Sequence, residues 1–207
     1  MKITVVVPVG PGHQQYASAA VASVTRAWEK DRGPFKSMIM ATMFDSGGKM
    51  GRSKARNTGM ETWPADWFFL LDADDEMMPD AFGLVDLTQP ATFGAIWLNG
   101  RVGRENRWPV TRDTLYEHGA VGTLAMGFFL RNIGLRFDES MDTAEDFDLY
   151  MRLPSFTKLQ VPLVNIGYRR TSATGPRAGE PNGWRKACRA VVDRYQATQG
   201  LHARLGQ

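Results

Sequence analysis

The 207-residue chain has one cysteine, Cys188, and three histidines. A lone cysteine excludes an intramolecular disulfide and any multi-cysteine metal site, and it fits a reducing compartment. Nowhere do about 18 apolar residues run together, so no membrane-spanning helix is expected. The N-terminus passes from Lys2 straight into "ITVVVPV" without a small-residue cleavage site, so no secretory leader is expected either. The resulting expectation is a soluble, cytoplasmic protein. Internal repeats and low-complexity tracts are missing as well. Charge of one sign is also scarce: 25 Lys and Arg against 22 Asp and Glu leave +3, which suits an anionic ligand without demanding a nucleic acid. What is present is a 43% hydrophobic composition over the usual length of one domain, so residues 1–207 are expected to form one.

"KITVVVPVG" reads as a strand ending at Gly-Pro-Gly, and "QQYASAAVASVTRAW" follows with helical spacing at Tyr16, Ala20, Val24 and Ala27. "FKSMIMATMFDSGG" reads as a second strand and "SKARNTGMETW" as a second helix. A third strand, "DWFFLLDAD", is expected to lead into a helix with Pro79 in its first turn. This alternation predicts an α/β fold with a mostly parallel sheet flanked by helices. Further strands are expected in "TFGAIWLNGRVG", "VGTLAMGFFLRNI" and "KLQVPLVNIGYRR", with a helix in "TAEDFDLYMRL" stopped by Pro154. "SATGPRAGEPNG" has the content of a mobile loop, and the basic "WRKACRAVVDRYQATQ" reads as a closing helix that holds Cys188.

The third strand runs into four carboxylates within five positions: Asp72, Asp74, Asp75 and Glu76. In open α/β sheets the carboxyl ends of strands are where ligands bind. Unit charges about 4 Å apart repel by roughly 1 kcal/mol in water and about 4 kcal/mol at an effective dielectric near 20. A hard dication, Mg²⁺ or Mn²⁺, relieves that repulsion, and its usual company is a phosphate or pyrophosphate. Capping of the next helix by Asp74 or Asp75, with Glu76 solvated, stays open. A second acidic site, Glu145 and Asp146, stands at a predicted helix start, where an ionised carboxylate is favoured and suits a general base. Thr143 and Asp146 also have the spacing of a capping box. Lys54 and Arg56 in "GRSKARNTG" are candidates to meet a diphosphate, or are surface cations.

Taken in order, "VVVPVG", "FDSGG", "GRSKARNTG", "FLLDADDEMMPDAF" and "FDESMDTAEDFDLYMRL" resemble the inverting glycosyltransferases of the GT-A fold, family 2, as does the Tyr-Arg pair of "VNIGYRR". The likeness runs from about residue 3 to 170. It implies a metal-dependent transfer, with Mn²⁺ or Mg²⁺ as cofactor, from a nucleotide-diphosphate sugar to a hydroxyl acceptor. A UDP-sugar is the expected donor. Pro8, Val9 and Gly10 would line the base pocket through their backbone, Asp45 would bond the base or ribose, and Arg56 would face the nucleotide. Asp72 would contact ribose or the metal, Asp74 would ligate the metal, Asp146 would be the base, and Glu145 would shape the acceptor site. Residues 1–98 would then be the donor and metal half and 99–170 the acceptor half; 171–207 would be a mobile loop and basic helix. The chain departs from the family where "GPGHQQY" replaces Tyr-Asn, where Asp45 stands in place of an Asp-Asp pair, and where Thr171 and Ser172 replace a histidine. His118 lies in a different segment and is not nominated.

The acceptor side is expected from residues 100–130, where Arg101, Arg104, Arg107, Trp108, Arg112 and Tyr116 mix cations with aromatic planes. A sugar, a protein side chain or a hydroxylated nucleobase fits that mixture. Two other classes compete. A nucleotidyltransferase has similar sheets and acidic sites but begins with a Gly-rich loop and a cation, which "PVGPGHQQY" lacks; a catalytically silent sugar-binding module has no need of Asp72, Asp74 and Asp146 together.

Overall fold

The computed structural model describes residues 1–98, 101–102, 124–141, 143–167 and 183–205. The expected acceptor residues 104–116, His118, the Tyr-Arg pair, and the loop with Thr171 and Ser172 lie outside the described residues, as does the side chain of Arg101.

Strand β1 (Lys2–Val9), helix α1 (Gln14–Lys30), β2 (Ser37–Phe44), α2 (Arg52–Thr62) and β3 (Trp67–Leu70) follow the predicted order. β1 pairs in parallel with β2 on one side and β3 on the other. Its β-branched run is buried on both faces, as a central strand's must be. Side chains alternate across it. Ile3, Val5 and Val7 join Ala17, Ala20, Val24 and Ala27 of α1 on one side, together with Phe35, Phe82 and Phe129. Val6, Phe68 and Leu70 face the other way, onto Met60 of α2.

Later strands are short: β4 (Glu76–Met77), β5 (Ala91–Phe93), β6 (Trp97–Leu98), β7 (Arg101–Val102), β8 (Phe128–Arg131), β9 (Thr157–Lys158) and β10 (Val164–Asn165). The main sheet has six strands in the order β2-β1-β3-β8-β5-β9, with β8 antiparallel to both neighbours. Helix α3 (Glu145–Arg152) and helix α4 (Gly183–Leu205) close the second layer. Phe147, Tyr150 and Met151 pack there against Cys188, Val191 and Val192.

Two expectations are corrected. No helix follows β3: β4 pairs with β10 instead, and only a 3-10 turn, Ala81–Leu84, comes after Pro79. Long-range bonds decide this, since the Met77 N–H donates to Ser23 Oγ of α1 at 2.9 Å and the Met78 N–H to the Leu163 carbonyl at 2.9 Å. The single last strand is split into β9 and β10, with Pro162, which has no N–H for a ladder, between them. Before β8 the chain must pass close under β10. Gly127 allows this at φ 86°, where a Cβ would stand 2.4 Å from Val164 Cγ1, and its N–H donates to the Leu70 carbonyl at 2.7 Å.

Candidate active site

The parallel strands β1, β2 and β3 deliver Gly10, Asp45 and Asp72 to the same sheet edge. Pro8 and Val9 are themselves buried, and the Val9 carbonyl accepts from the Asp45 N–H at 2.9 Å, so Gly10 alone of the three reaches the mouth. The Asp45 carboxylate braces the loop ahead: Oδ2 accepts from the N–H groups of Met50 (3.0 Å) and Gly51 (2.9 Å). Gly51, at φ 78°, then turns the chain into α2.

Arg52 and Arg56, four residues apart, share one face of α2. Arg56 is the centre of the site. One η nitrogen donates to Glu145 Oε1 at 3.0 Å and the other to Asp72 Oδ1 at 2.7 Å, while the guanidinium lies 5.0 Å over the Phe137 ring. Its side chain and that of Glu145 are each 3% exposed. Arg56 therefore ties strand end to helix start and is not the surface cation of the alternative reading. Burial alone would lower its pKa, but the two carboxylates outweigh that and raise it. Burial likewise pushes the Asp72 carboxyl up, yet Arg56, with help from Arg52 and His13, holds it below the usual range. Next to Arg56, the Asn57 side chain exchanges bonds with the Phe137 backbone at 3.0 and 2.9 Å. Lys54 points away and is exposed.

Past β3 the three aspartates separate. Asp72 is 35% exposed. Asp74 Oδ1 stands 4.0 Å from His13 Nδ1. Asp75 is buried and accepts from the Gly167 N–H at 2.9 Å. Neither Asp74 nor Asp75 caps a helix, because none follows. Burial first, and then the charges of Asp72 and Asp74, push the Asp75 carboxyl well above its ordinary value. Burial and the neighbouring charges together thus favour the neutral form of this third carboxyl.

Helix α3 begins without the expected capping box. Its N-cap is Ala144, at φ 60° and ψ 21°, with no side-chain cap bond. Among the described residues Ala144 is the one non-glycine with positive φ, and it directly precedes Glu145 and Asp146. Strain of that kind clusters where geometry is imposed by function. Thr143 Oγ1 and Glu145 Oε2 are buried without a partner among the described residues, as are Ser53 Oγ and Arg56 Nε. Arg52 Nε approaches Glu145 Oε1 at 3.6 Å. Asp146 is half-buried, and its Oδ1 accepts from the Phe147 N–H at 2.8 Å. One turn on, the Tyr150 hydroxyl donates to Met126 Sδ at 3.5 Å. Burial, then the Asp146 charge, drives its pKa well up, so Tyr150 stays neutral.

Sequence reasoning missed Arg52 and His13. Arg52 was legible as the residue four before Arg56, and His13 as the odd member of "GPGHQQY". Among the described residues no three His, Cys, Asp or Glu side chains are grouped to enclose a metal ion. The donor set still fits a dication shared with a ligand, since Asp72 and Asp74 offer hard oxygens, and phosphate and water commonly complete such a shell. Nor is any helix among the described residues long and apolar enough to cross a membrane.

The architecture is similar to that of residues 1–349 of TarS from S. aureus in complex with UDP-GlcNAc, at 17% identity and a TM-score of 0.61, covering 84% of this chain and 61% of that one. The TarS complex with UDP gives 16%, 0.59, 81% and 61%. Glucosyl-3-phosphoglycerate synthase from Mycobacterium tuberculosis, in complex with Mn²⁺, UDP-glucose and phosphoglyceric acid, gives 14%, 0.52, 83% and 73%. At these identities the likeness shows the fold, the GT-A architecture. The chain spans about three-fifths of the TarS chain it matches. Among curated protein sequences none matches significantly. The description "Glycosyl transferase family 2" matches residues 40–154, more than half of the chain, and that span contains Arg56, the three aspartates after β3, Glu145 and Asp146. The chain belongs to glycosyl transferase family 2.

Proposed function

We propose that this domain transfers a sugar from a UDP-sugar to an acceptor hydroxyl, with inversion and with the aid of a divalent cation. The observation that carries the reading is the Asp72–Arg56–Glu145 bridge, with contacts of 2.7 and 3.0 Å. It fixes the acidic end of β3 against the acidic start of α3, which supports a cation-and-phosphate site beside a candidate base. The UDP and UDP-sugar complexes of the structural neighbours, one of them with Mn²⁺, support the choice of donor and cofactor.

Gly10 and the Asp45-braced loop flank the nucleotide, with Pro8 and Val9 as the buried support behind them. Asp74 would hold the cation, with Asp72 contacting ribose or a metal-bound water, and the cation would neutralise charge on the departing diphosphate. Asp146 takes the proton of the acceptor hydroxyl as its oxygen attacks the anomeric carbon. The bond from that carbon to the diphosphate breaks on the opposite face, so UDP leaves and configuration inverts. Arg56 holds Glu145 beside the base and fixes the start of α3. Residues 1–98 form the donor half and 99–170 the acceptor half.

The test is a thermal-shift screen of UDP-sugars with and without Mn²⁺. A ligand at 100 times its Kd adds roughly 2.7 kcal/mol, which raises Tm by about 5–10 °C in a domain of this size. If no UDP-sugar moves Tm in the presence of Mn²⁺, the proposal fails.

A further inference from the structure

His13 occupies a position that local preference gives to other residues. It is the N-cap of α1, where Ser, Thr, Asp or Asn would accept from the first turn, yet its side chain makes no cap bond. A residue that breaks a local rule without local gain marks a functional position. The turn that presents it is built for the purpose: the His13 N–H donates to the Gly10 carbonyl at 3.1 Å, and Gly12 sits at φ 79°. A Cβ on Gly10 or Gly12 would meet nothing within 4 Å, so the turn borders open space. Tyr16 supports the imidazole edge-on, with ring centres 6.2 Å apart at 77°.

Nδ1 of His13 lies 4.0 Å from Asp74 Oδ1, and the two side chains are 30% and 21% exposed. That spacing is too long for a hydrogen bond. It lies within the span of two ligands on one ion, about 3.0 Å for adjacent positions and about 4.2 Å for opposite ones at bond lengths near 2.1 Å. Asp72 differs, because its Oδ1 is held by Arg56 at 2.7 Å. We propose that His13 Nδ1 and Asp74 Oδ1 are the inner protein ligands of the dication, and that His13 tunes the site toward Mn²⁺ over Mg²⁺. This rests on the donor reading above. An imidazole nitrogen favours transition metals, whereas an all-oxygen shell suits Mg²⁺ equally well.

The ordinary alternative is a half-exposed His–Asp ion pair of little energetic weight, and pulsed EPR separates the two. The full chain is loaded with Mn²⁺ and UDP, with histidine ¹⁵N-labelled in a parallel sample to distinguish it from the uracil nitrogens. The expected result is a nitrogen coupling to Mn²⁺ that changes with the label and disappears in His13→Ala. The same variant binds Mn²⁺ in the UDP complex about tenfold more weakly, loses less for Mg²⁺, and keeps its Tm and its UDP affinity in EDTA. Mn²⁺ and UDP bound without histidine coupling, or coupling that persists in His13→Ala, overturns the inference and leaves the donor reading standing. Failure of the wild type to bind Mn²⁺ and UDP overturns both.

Discussion

Replacing Arg56 with Met removes the charge that Asp72 and Glu145 share while keeping much of the side-chain volume. The two carboxylates do not suffer equally. Asp72 is 35% exposed and recovers hydration, so its arm is worth no more than about 1 kcal/mol. Glu145 is 3% exposed and, among the described residues, keeps only Arg52, 3.6 Å away and itself 35% exposed. Removing one partner of a buried pair costs about 3–5 kcal/mol, equivalent to roughly 10 °C in Tm for a domain of this size. Urea midpoints at pH 7 measure it directly. Arg56→Lys should fall in between, because an ammonium cannot fork to two carboxylates. Adding Glu145→Leu to Arg56→Met should recover more than about 2 kcal/mol, since the stranded charge is gone. The pH dependence supplies an internal check. Asp72 is held below its ordinary 3.8 in the fold, so its contribution is present above that value and is lost as pH falls through the lowered folded value. The gap between wild type and Arg56→Met should therefore narrow below about pH 4. A loss under about 1 kcal/mol at pH 7, or a gap that widens on acidification, would refute the bridge.

Asp75→Asn should stabilise the metal-free protein at pH 7 by about 1 kcal/mol, because the amide oxygen still accepts from Gly167 and, unlike the carboxylate of the unfolded chain, has no charge to give up on burial. The sign follows from a raised folded pKa: the carboxyl destabilises as pH climbs above its ordinary 3.8, so the advantage of Asn should vanish below that value in denaturation curves. Gly127→Ala, with a Cβ 2.4 Å from Val164 at φ 86°, should lower stability by about 2–4 kcal/mol in the same assay. Asp146→Asn should keep UDP and Mn²⁺ binding by calorimetry and lose transfer by about 10²–10⁴; full turnover removes the base assignment. Asp74→Ala should lose the Mn²⁺-dependent part of UDP binding, and unchanged Mn²⁺ dependence would relieve Asp74 of its role.

Much of the first half was legible because its order is local. The β-branched run of β1, the alanine spacing of α1 and the apolar Trp67–Leu71 burst each carry their own periodicity. The helix expected after β3 fails because Met77 and Met78 bond to Ser23 and Leu163, partners that no local window contains. Thr143 and Asp146 have capping-box spacing, but Ala144 takes the left-handed conformation between them and the box does not form. Arg56 shows the same limit at the site. Its nearness to Asp72 and Glu145 spans 16 and 89 residues of chain, so sequence named the participant without its place.

The acidic run after β3 now resolves into residues with different surroundings. Asp72 is neutralised from below by Arg56, so one carboxylate can stay ionised at the strand end with no ligand present. Asp75 is buried against the Gly167 N–H, and burial, ahead of the neighbouring charges, pushes its carboxyl up. Asp74 is left to meet the opening, with the His13 imidazole 4.0 Å away. The fold thus compensates Asp72 through Arg56 and favours the neutral form at Asp75. On the function proposed, the negative charge of Asp72 and Asp74 is what would attract the cation.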